Sequence, residues 1–135
     1  MSHRKLVIVP TYNELENISD MVQTVMELEG NFELLIIDDG SPDGTAGIVK
    51  SMQNAFEGRL HLMERAGKLG LGTAYIAGFR WALERDYDFI FEMDCDFSHD
   101  PKDLIRLYQG IKNRDYDLAI GSRYITGVNV VNWPM

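Results

Sequence analysis

The sequence contains a single cysteine, Cys95, so an internal disulfide is excluded. This low cysteine content favours a reducing compartment. Long hydrophobic runs are also missing, because no stretch approaches the roughly 20 apolar residues that span a bilayer. The apolar run after Lys5 is too short for a signal peptide. We therefore expect a soluble, cytoplasmic protein.

Positive charge is scarce. The chain has 13 Lys and Arg residues against 21 Asp and Glu residues, which gives a net charge of −8. This balance argues against a nucleic-acid partner, because binding to a phosphate backbone needs a surplus of Lys and Arg. A phosphorylated small ligand is still compatible with it if a divalent cation supplies the missing positive charge.

Two glycine-rich phosphate-binding motifs are absent as well. No G-x-G-x-x-G follows the first apolar run, and no G-x-x-x-x-G-K-[ST] occurs anywhere in the chain. The usual sequence signals of a Rossmann dinucleotide site and of a P-loop are therefore missing. A nucleotide would have to be bound by other groups.

The sequence does contain an alternation of short apolar runs and helical patterns, in 135 residues that suit one domain. Continuous apolar runs are typical of strands buried on both faces. The alternation predicts an α/β fold with a mostly parallel sheet and helices on both faces. The predicted strands are 6–9, 32–37, 60–63, 89–93 and 118–120. The predicted helices are one patterned on Ile18, Val22, Val25 and Leu28, and three at 45–52, 73–85 and 101–112. Asp100 is the expected N-cap of the last helix, with Pro101 at its first position.

Polar segments follow four of these predicted strands at the point where each strand ends. They are residues 11–14, 38–41, 94–98 and 121–123. In an open α/β sheet, ligands bind beyond the carboxyl ends of the strands. The four segments therefore predict one ligand site at this edge of the sheet.

The strongest candidate in that site is Asp94-Cys95-Asp96. In an extended backbone, Asp94 and Asp96 point to the same side, and two adjacent carboxylates favour a cation between them. Hard oxygen ligands suit Mg²⁺ or Mn²⁺, whereas the Cys95 thiolate suits neither. The alternative is an Asp pair that caps the following turn. Ser98 is either a further metal ligand or a cap, and His99 is expected to form a structural hydrogen bond.

Two other loops carry candidates for the rest of a nucleotide. The adjacent carboxylates of Asp38 and Asp39 point to opposite sides, so one can bind a ribose or base while the other holds the loop through local hydrogen bonds. Asp39 is the candidate for the ligand role. Tyr12 is a candidate for packing on a base, and Glu14 for accepting hydrogen bonds from the base or ribose. The alternative for these two is a packed tyrosine and a glutamate favoured by a helix dipole.

Two weaker candidates concern the phosphates. Residues 68–73 are rich in glycine and precede a helix, which suits either a phosphate cradle or an ordinary turn. Arg123 follows the fifth predicted strand, where a guanidinium would meet a diphosphate. The alternative for Arg123 is an ordinary surface arginine.

Taken in order, these motifs resemble the inverting family 2 glycosyltransferases with a GT-A fold, and among them the dolichyl- or polyprenyl-phosphate mannose synthases. The similar segments are residues 9–14, 37–45, 70–75, 93–99, 121–124 and 132–134. The resemblance covers essentially the whole chain. It implies transfer of mannose from GDP-mannose to a polyprenyl or dolichyl phosphate, with inversion at the anomeric carbon. It assigns no catalytic side chain, because the displacement is direct and assisted by a cation.

The resemblance also implies a role for each matching residue. Arg123 would contact the nucleotide sugar, and Cys95 would touch the nucleotide through its backbone. Asp94 and Asp96, with Ser98, would hold Mg²⁺ or Mn²⁺ on the diphosphate. The guanosine pocket would be lined by Pro10, Tyr12, Glu14, Ile37 and Asp39.

Members of this family continue well beyond the position of Met135. We therefore expect the chain to be the N-terminal, nucleotide-sugar-binding part of the enzyme, with any peripheral membrane contact belonging to the full-length protein. Other interpretations are a family 2 enzyme that uses another nucleotide sugar of the UDP-glucose type, and a non-catalytic nucleotide-binding fragment. Asp94-x-Asp96-x-Ser98 also resembles the motif of aspartate-nucleophile phosphatases. Those enzymes carry the motif after their first strand, whereas here it follows the fourth.

Overall fold

The computed structural model describes residues 4–67, 70–96, 100–111, 118–119 and 129–132. Its strands are β1 (Lys5–Thr11), β2 (Glu33–Asp38), β3 (Leu60–Glu64), β4 (Phe89–Glu92), β5 (Leu118–Ala119) and β6 (Asn129–Asn132). Its helices are α1 (Ile18–Met26), α2 (Thr45–Met52), α3 (Leu71–Leu83) and α4 (Asp103–Ile111). None of the helices in these ranges is long and apolar enough to cross a membrane.

The strands form one sheet in the order β3-β2-β1-β4-β6-β5. The pairs β1–β2, β1–β4 and β2–β3 are parallel, which confirms the predicted mostly parallel sheet. The pairs β4–β6 and β5–β6 are antiparallel. Strand β6 was not predicted, because its two valines stand between asparagines and do not form an apolar run of normal length.

The helices pack on both faces of the sheet, as predicted. Successive strand residues point to opposite faces. In β1, Val7 and Val9 belong to the hydrophobic cluster that includes α1, α2 and Leu104 of α4. Leu6 and Ile8 belong to the cluster that includes α3. All four β1 side chains are fully buried, so β1 is the centre of the core.

The helix bounds agree with the prediction for α2 and differ from it for α4. That helix begins at Asp103, so Pro101 is not at its first position as predicted. The Asp100 carboxylate accepts a hydrogen bond from the Lys102 amide (3.0 Å), and the Asp100 carbonyl accepts one from the Asp103 amide (2.9 Å). Residues 101 and 102 therefore form a turn that leads into the helix. Helix α1 ends at Met26, so Leu28 lies beyond it.

Candidate functional site

A pocket of about 280 Å³ lies at the carboxyl edge of the sheet. It is lined by Pro10, Thr11, Tyr12, Glu14, Asp39, Gly70, Asp94, Cys95 and Asp96. These residues come from the ends of β1, β2 and β4 and from the start of α3, which is where the strand ends predicted a common site. Among the predicted site residues in the described ranges, all but Ile37 line this pocket.

The remaining predicted residues fall into two groups. Ile37 is fully buried in the cluster under α3, so its side chain belongs to the core. Ser98 and Arg123 lie outside the described residues, as do Lys68 and His99. Their roles stay predictions.

Asp94 and Asp96 line the same pocket, but not because of strand alternation. Strand β4 ends at Glu92, and residues 95 and 96 form a turn, so the extended backbone assumed from the sequence is wrong here. Asp94 is half-buried and accepts a hydrogen bond from the Tyr75 hydroxyl (3.3 Å), while Asp96 is exposed. The turn thus places the Asp94 carboxylate against α3, while Asp96 lines the pocket at an exposed position.

Cys95, between these two aspartates, packs into the core and is 2% exposed. Burial, together with the nearby carboxylates of Glu14, Asp96 and Asp94, raises the pKa of its thiol to about 12. Because metal ligation requires the thiolate, this environment disfavours Cys95 as a ligand. That Cys95 is not a metal ligand stays a prediction.

The pocket brings several carboxylates together. Burial raises the pKa of Glu14, and the carboxylates of Asp96, Asp43 and Asp94 raise it further against the opposing hydrogen bond from Asn17. A divalent cation next to these groups would relieve the repulsion. The oxygen ligands of Asp94 and Asp96 suit a hard cation such as Mg²⁺ or Mn²⁺.

Two carboxylates are the candidate protein ligands for such a cation. Within the described ranges, no group of three or more His, Cys, Asp or Glu residues could hold a metal ion. A site built on the two carboxylates of Asp94 and Asp96 would keep several positions open. Mg²⁺ sites commonly use one or two carboxylates and fill the other positions with phosphate oxygens and water.

The two adjacent carboxylates after β2 have separate tasks. Asp38 is 1% exposed and accepts hydrogen bonds from the Thr11 hydroxyl (2.8 Å) and from the Ser41 amide (2.9 Å) and hydroxyl (2.7 Å). It therefore joins the end of β1 to the loop that follows β2. Asp39 instead lines the pocket. This confirms the prediction that one carboxylate holds the loop, and the ligand role of Asp39 stays a prediction.

Arg65 is a residue of this edge that the sequence analysis missed. Its Nε donates to Asp39 Oδ1 (2.6 Å) and its Nη2 to Asp39 Oδ2 (2.8 Å). The two side chains are only 11% and 8% exposed. Arg65 directly follows β3, which is one of the parallel strands. Extending the strand-end rule to that strand would have found it.

The loop after β2 also fixes the loop after β1. Three consecutive amides of the first loop donate to side chains of the second. These bonds join Asn13 N to Ser41 Oγ (2.8 Å), Glu14 N to Thr45 Oγ1 (3.1 Å) and Leu15 N to Asp43 Oδ2 (3.1 Å). The polar residues of the segment 41–45 therefore position the backbone that carries Tyr12 and Glu14 into the pocket.

Replacing Asp43 by alanine is expected to loosen this junction. The pKa of Asp43 lies below its ordinary value of 3.8, chiefly because of the hydrogen bond from the Thr45 hydroxyl. A lowered pKa means that the stabilisation is complete at neutral pH and is lost only as the pH falls through the lowered pKa. At neutral pH, the Leu15 and Thr45 amides should exchange with solvent hydrogen faster in Asp43→Ala than in the wild type, as measured by NMR. Asp20→Ala on the exposed side of α1 is the control, and unchanged exchange at both amides would contradict the role of Asp43.

Comparison with known proteins gives one family match. The model of glycosyl transferase family 2 matches residues 6–135. Polyprenol monophosphomannose synthase of Mycolicibacterium smegmatis is 47% identical over 133 residues, which cover 98% of this chain and 50% of that protein. Undecaprenyl-phosphate mannosyltransferase of Micrococcus luteus is 46% identical over 131 residues, which cover 97% of this chain and 53% of that protein. The chain thus spans about half the length of these curated relatives.

Solved structures resemble the fold at lower identity. The mannosyltransferase PcManGT from Pyrobaculum calidifontis, in complex with GDP-Man and Mn²⁺, has a TM-score of 0.73 and 20% identity, covering 93% of this chain and 37% of that one. TarS of S. aureus, in complex with UDP-GlcNAc, has a TM-score of 0.69 and 22% identity, covering 87% of this chain and 33% of that one. At such identities the likeness is evidence of a common fold alone.

Proposed function

The chain belongs to glycosyl transferase family 2 and has the GT-A fold, and on this premise we propose that it is the donor-binding part of an inverting mannosyltransferase that takes GDP-mannose with a divalent cation. The observation that carries the proposal is the pocket at the carboxyl edge, where Asp94 and Asp96 lie beside Glu14 and Asp39. Acidic oxygens suit a cation, and a cation would let this acidic pocket accept a diphosphate.

Within this proposal, each element of the pocket has a separate task. Asp94 and Asp96 would hold Mg²⁺ or Mn²⁺, whose charge would stabilise the departing diphosphate. The hydrogen bond from Tyr75 keeps Asp94 oriented. Tyr12 lines the pocket and is 36% exposed, and its ring would pack against the base. Glu14 and Asp39 supply acceptors for the hydroxyl and N–H groups of the nucleoside.

The acceptor we propose is a polyprenyl or dolichyl phosphate. The support for it is the names of the relatives, which include a dolichol-phosphate mannosyltransferase of Pyrococcus furiosus that is 38% identical over 130 residues. A phosphate acceptor is already an anion, so it needs little help from a general base. One direct attack on the anomeric carbon inverts its configuration. Such a lipid would place the whole enzyme at the cytoplasmic face of a membrane, in peripheral contact with it.

Calorimetric titration with nucleotides tests the donor. In the presence of Mn²⁺, we expect the chain to bind GDP-mannose, with GDP competing and UDP competing at least about tenfold less well. Adding a chelator should weaken binding strongly, because the pocket would then meet the diphosphate with its own negative charge. A clear preference for UDP would refute the guanosine assignment and favour the UDP-glucose type of donor.

A second candidate function is nucleotide binding without transfer. The same pocket at the carboxyl edge would serve it, since binding needs only the donor site. The distinguishing assay is transfer of radiolabelled mannose to polyprenyl phosphate by the 135-residue chain. Detectable product would exclude the non-catalytic alternative. The aspartate-nucleophile phosphatase alternative has no support, because the family 2 match covers the segment that carries Asp94 and Asp96.

A further inference from the structure

The ion pair between Arg65 and Asp39 indicates a further role for Arg65. This inference rests on the proposed nucleotide site. We propose that Arg65 is a positioning residue for the nucleoside: it holds the Asp39 carboxylate in one orientation and fixes the start of α3 on the other side of the pocket. Arg65 then affects binding through Asp39 and not through a contact of its own with the ligand.

The hydrogen bonds of Arg65 are the first evidence. A guanidinium has five N–H groups. Besides the two that Asp39 accepts, Nη1 donates to Thr73 Oγ1 (3.0 Å) and Nη2 donates to the Gly70 carbonyl (3.2 Å). Four donations therefore go to three protein residues, and the side chain is 11% exposed. An arginine committed in this way is better suited to orienting other groups than to binding a diphosphate directly.

The geometry at Asp39 is the second piece of evidence. Paired, parallel hydrogen bonds between a guanidinium and a carboxylate fix the plane of the carboxylate as well as its position. The Asp39 backbone is held too, because its amide donates to the Thr11 carbonyl (3.1 Å). Asp39 thus meets a ligand as an acceptor that is already oriented. Binding then does not have to order this side chain, which improves affinity.

Charge is the third piece of evidence. The guanidinium of Arg65 compensates the charge of Asp39 within the protein, and the carboxylates of Asp94 and Asp96 line another part of the same pocket. Asp39 can therefore accept hydrogen bonds from a nucleoside without adding to the repulsion of the diphosphate. Within the proposed site, Asp39 is thus a neutralised acceptor, and Asp94 and Asp96 form the acidic end that would bind the cation.

The contact with Gly70 extends the effect to a second wall of the pocket. Gly70 lines the pocket and precedes α3, and its carbonyl accepts from both Arg65 and the Thr73 hydroxyl (2.8 Å). One buried side chain thus sets the spacing between the end of β2 and the start of α3. Sites of this kind lose affinity when the supporting residues are loosened, even if every residue that touches the ligand is retained.

The experiment is a double-mutant cycle on GDP affinity in the 135-residue chain with Mn²⁺, measured by calorimetry. Arg65→Met should weaken GDP binding by roughly tenfold or more, as misplaced binding groups do. Asp39→Asn should weaken GDP binding by a similar factor. The double variant should bind GDP no more weakly than whichever single variant binds it least, because both substitutions remove the same function. Arg65→Lys keeps the charge without the paired hydrogen bonds, and it should recover only part of the loss. The matched control is Arg106→Met on α4, whose arginine is 67% exposed.

Several results would overturn the inference. They are wild-type affinity in Arg65→Met, full recovery in Arg65→Lys, and losses in the two single variants that multiply in the double variant. Mn²⁺ binding without nucleotide, followed by electron paramagnetic resonance, should be unchanged in Arg65→Met, and a parallel loss there would indicate general damage to the fold. Arg65→Met leaves the Asp39 carboxylate unpaired, which could make this single variant unstable. The double variant lacks that charge and can be measured in its place. Wild-type GDP affinity in the double variant would overturn the proposal.

Failure of the proposed function gives a different result. A wild-type chain that binds UDP and not GDP would refute the guanosine assignment, and the same four-variant cycle would then be run with UDP, where the same coupling is expected. A wild-type chain that binds neither nucleotide would overturn both proposals.

Discussion

Replacing Asp96 by alanine is expected to abolish the Mn²⁺-dependent part of GDP-mannose binding, a loss of about a hundredfold or more in affinity. Asp96 is the exposed carboxylate of the acidic end of the pocket. Its removal would leave Asp94 as the single carboxylate of the pair and would weaken both the cation and the diphosphate that the cation binds. Calorimetric titration of both proteins with GDP-mannose, with and without Mn²⁺, measures the effect.

Asp96 suits this test because its side chain is exposed, so that its substitution disturbs the packing of the core little. Asp94 is half-buried and bonded to Tyr75, so its substitution would also disturb packing. Asp96→Ala should leave thermal unfolding close to that of the wild type, because exposed substitutions usually change stability little. Asp96→Asn keeps the shape and removes the charge, so it should lose most of the affinity as well. Equal binding by the wild type and Asp96→Ala would refute the assignment of the metal site.

The same variant has a second readout that does not depend on any ligand. Besides burial, the charge of Asp96 is one reason for the raised pKa of Glu14. Removing a nearby like charge favours ionisation, so the pKa of Glu14 should fall in Asp96→Ala. Carboxyl chemical shifts measured against pH by NMR would detect the change. An unchanged Glu14 titration would show that these two carboxylates do not interact through the pocket.

The sequence predicted the position of this site well because the rule behind it depends on topology alone. Parallel strands bring their carboxyl ends to one edge, so Glu14, Asp39 and Asp94 could be grouped without knowing any distance. Which atoms touch was a different question. The bond between Tyr75 and Asp94 joins residues that are 19 positions apart, and the sequence does not encode their distance.

The errors in the prediction share a physical cause, which is that local patterns were extended past the point where they apply. Alternation was assumed for Asp94 and Asp96, although β4 had already ended at Glu92. Pro101 was placed inside α4, although the hydrogen bonds of Asp100 make a turn first. Strand β6 depends on pairing with β4 and β5, a long-range interaction that a four-residue segment does not reveal. Element ends and short paired strands are set by tertiary contacts.

The identity of the nucleotide lies at a finer level than the fold. PcManGT, solved with GDP-Man, and TarS, solved with UDP-GlcNAc, resemble this chain at TM-scores of 0.73 and 0.69. The shared fold alone therefore does not identify the base. In the proposed site, selection would come from side chains near Asp39, where Tyr12 would supply a ring and Asp39 an oriented acceptor. The loss of affinity in the Arg65 variants and the preference for GDP over UDP should therefore be measured on the same samples.

Replacing Gly78 by alanine is expected to destabilise the protein by about 1–3 kcal/mol, the usual cost of forcing an extra group into a packed core. Gly78 lies in α3 where the helix crosses the sheet. A Cβ atom there would be 2.8 Å from Ile8 Cδ1, 2.9 Å from Ile8 Cγ2 and 3.0 Å from Ile37 Cδ1. These two isoleucines are fully buried, so they have little room to move away. Urea-induced unfolding, followed by circular dichroism, measures the difference.

Gly47 of α2 is the matched control, because a Cβ there would have no atom within 4 Å. Gly47→Ala should stabilise the protein by about 0.5–1 kcal/mol, since alanine loses less backbone entropy than glycine in a helix. Replacing glycine by alanine should thus raise the free energy of unfolding in α2 and lower it in α3. Adding Ile8→Val to Gly78→Ala removes Ile8 Cδ1, the nearest clashing atom, and should recover part of the loss. Because Ile8 and Ile37 hold β1 and β2 beneath the pocket, Gly78→Ala should also weaken nucleotide binding. A Gly78→Ala protein as stable as Gly47→Ala would show that α3 does not pack this closely on the sheet.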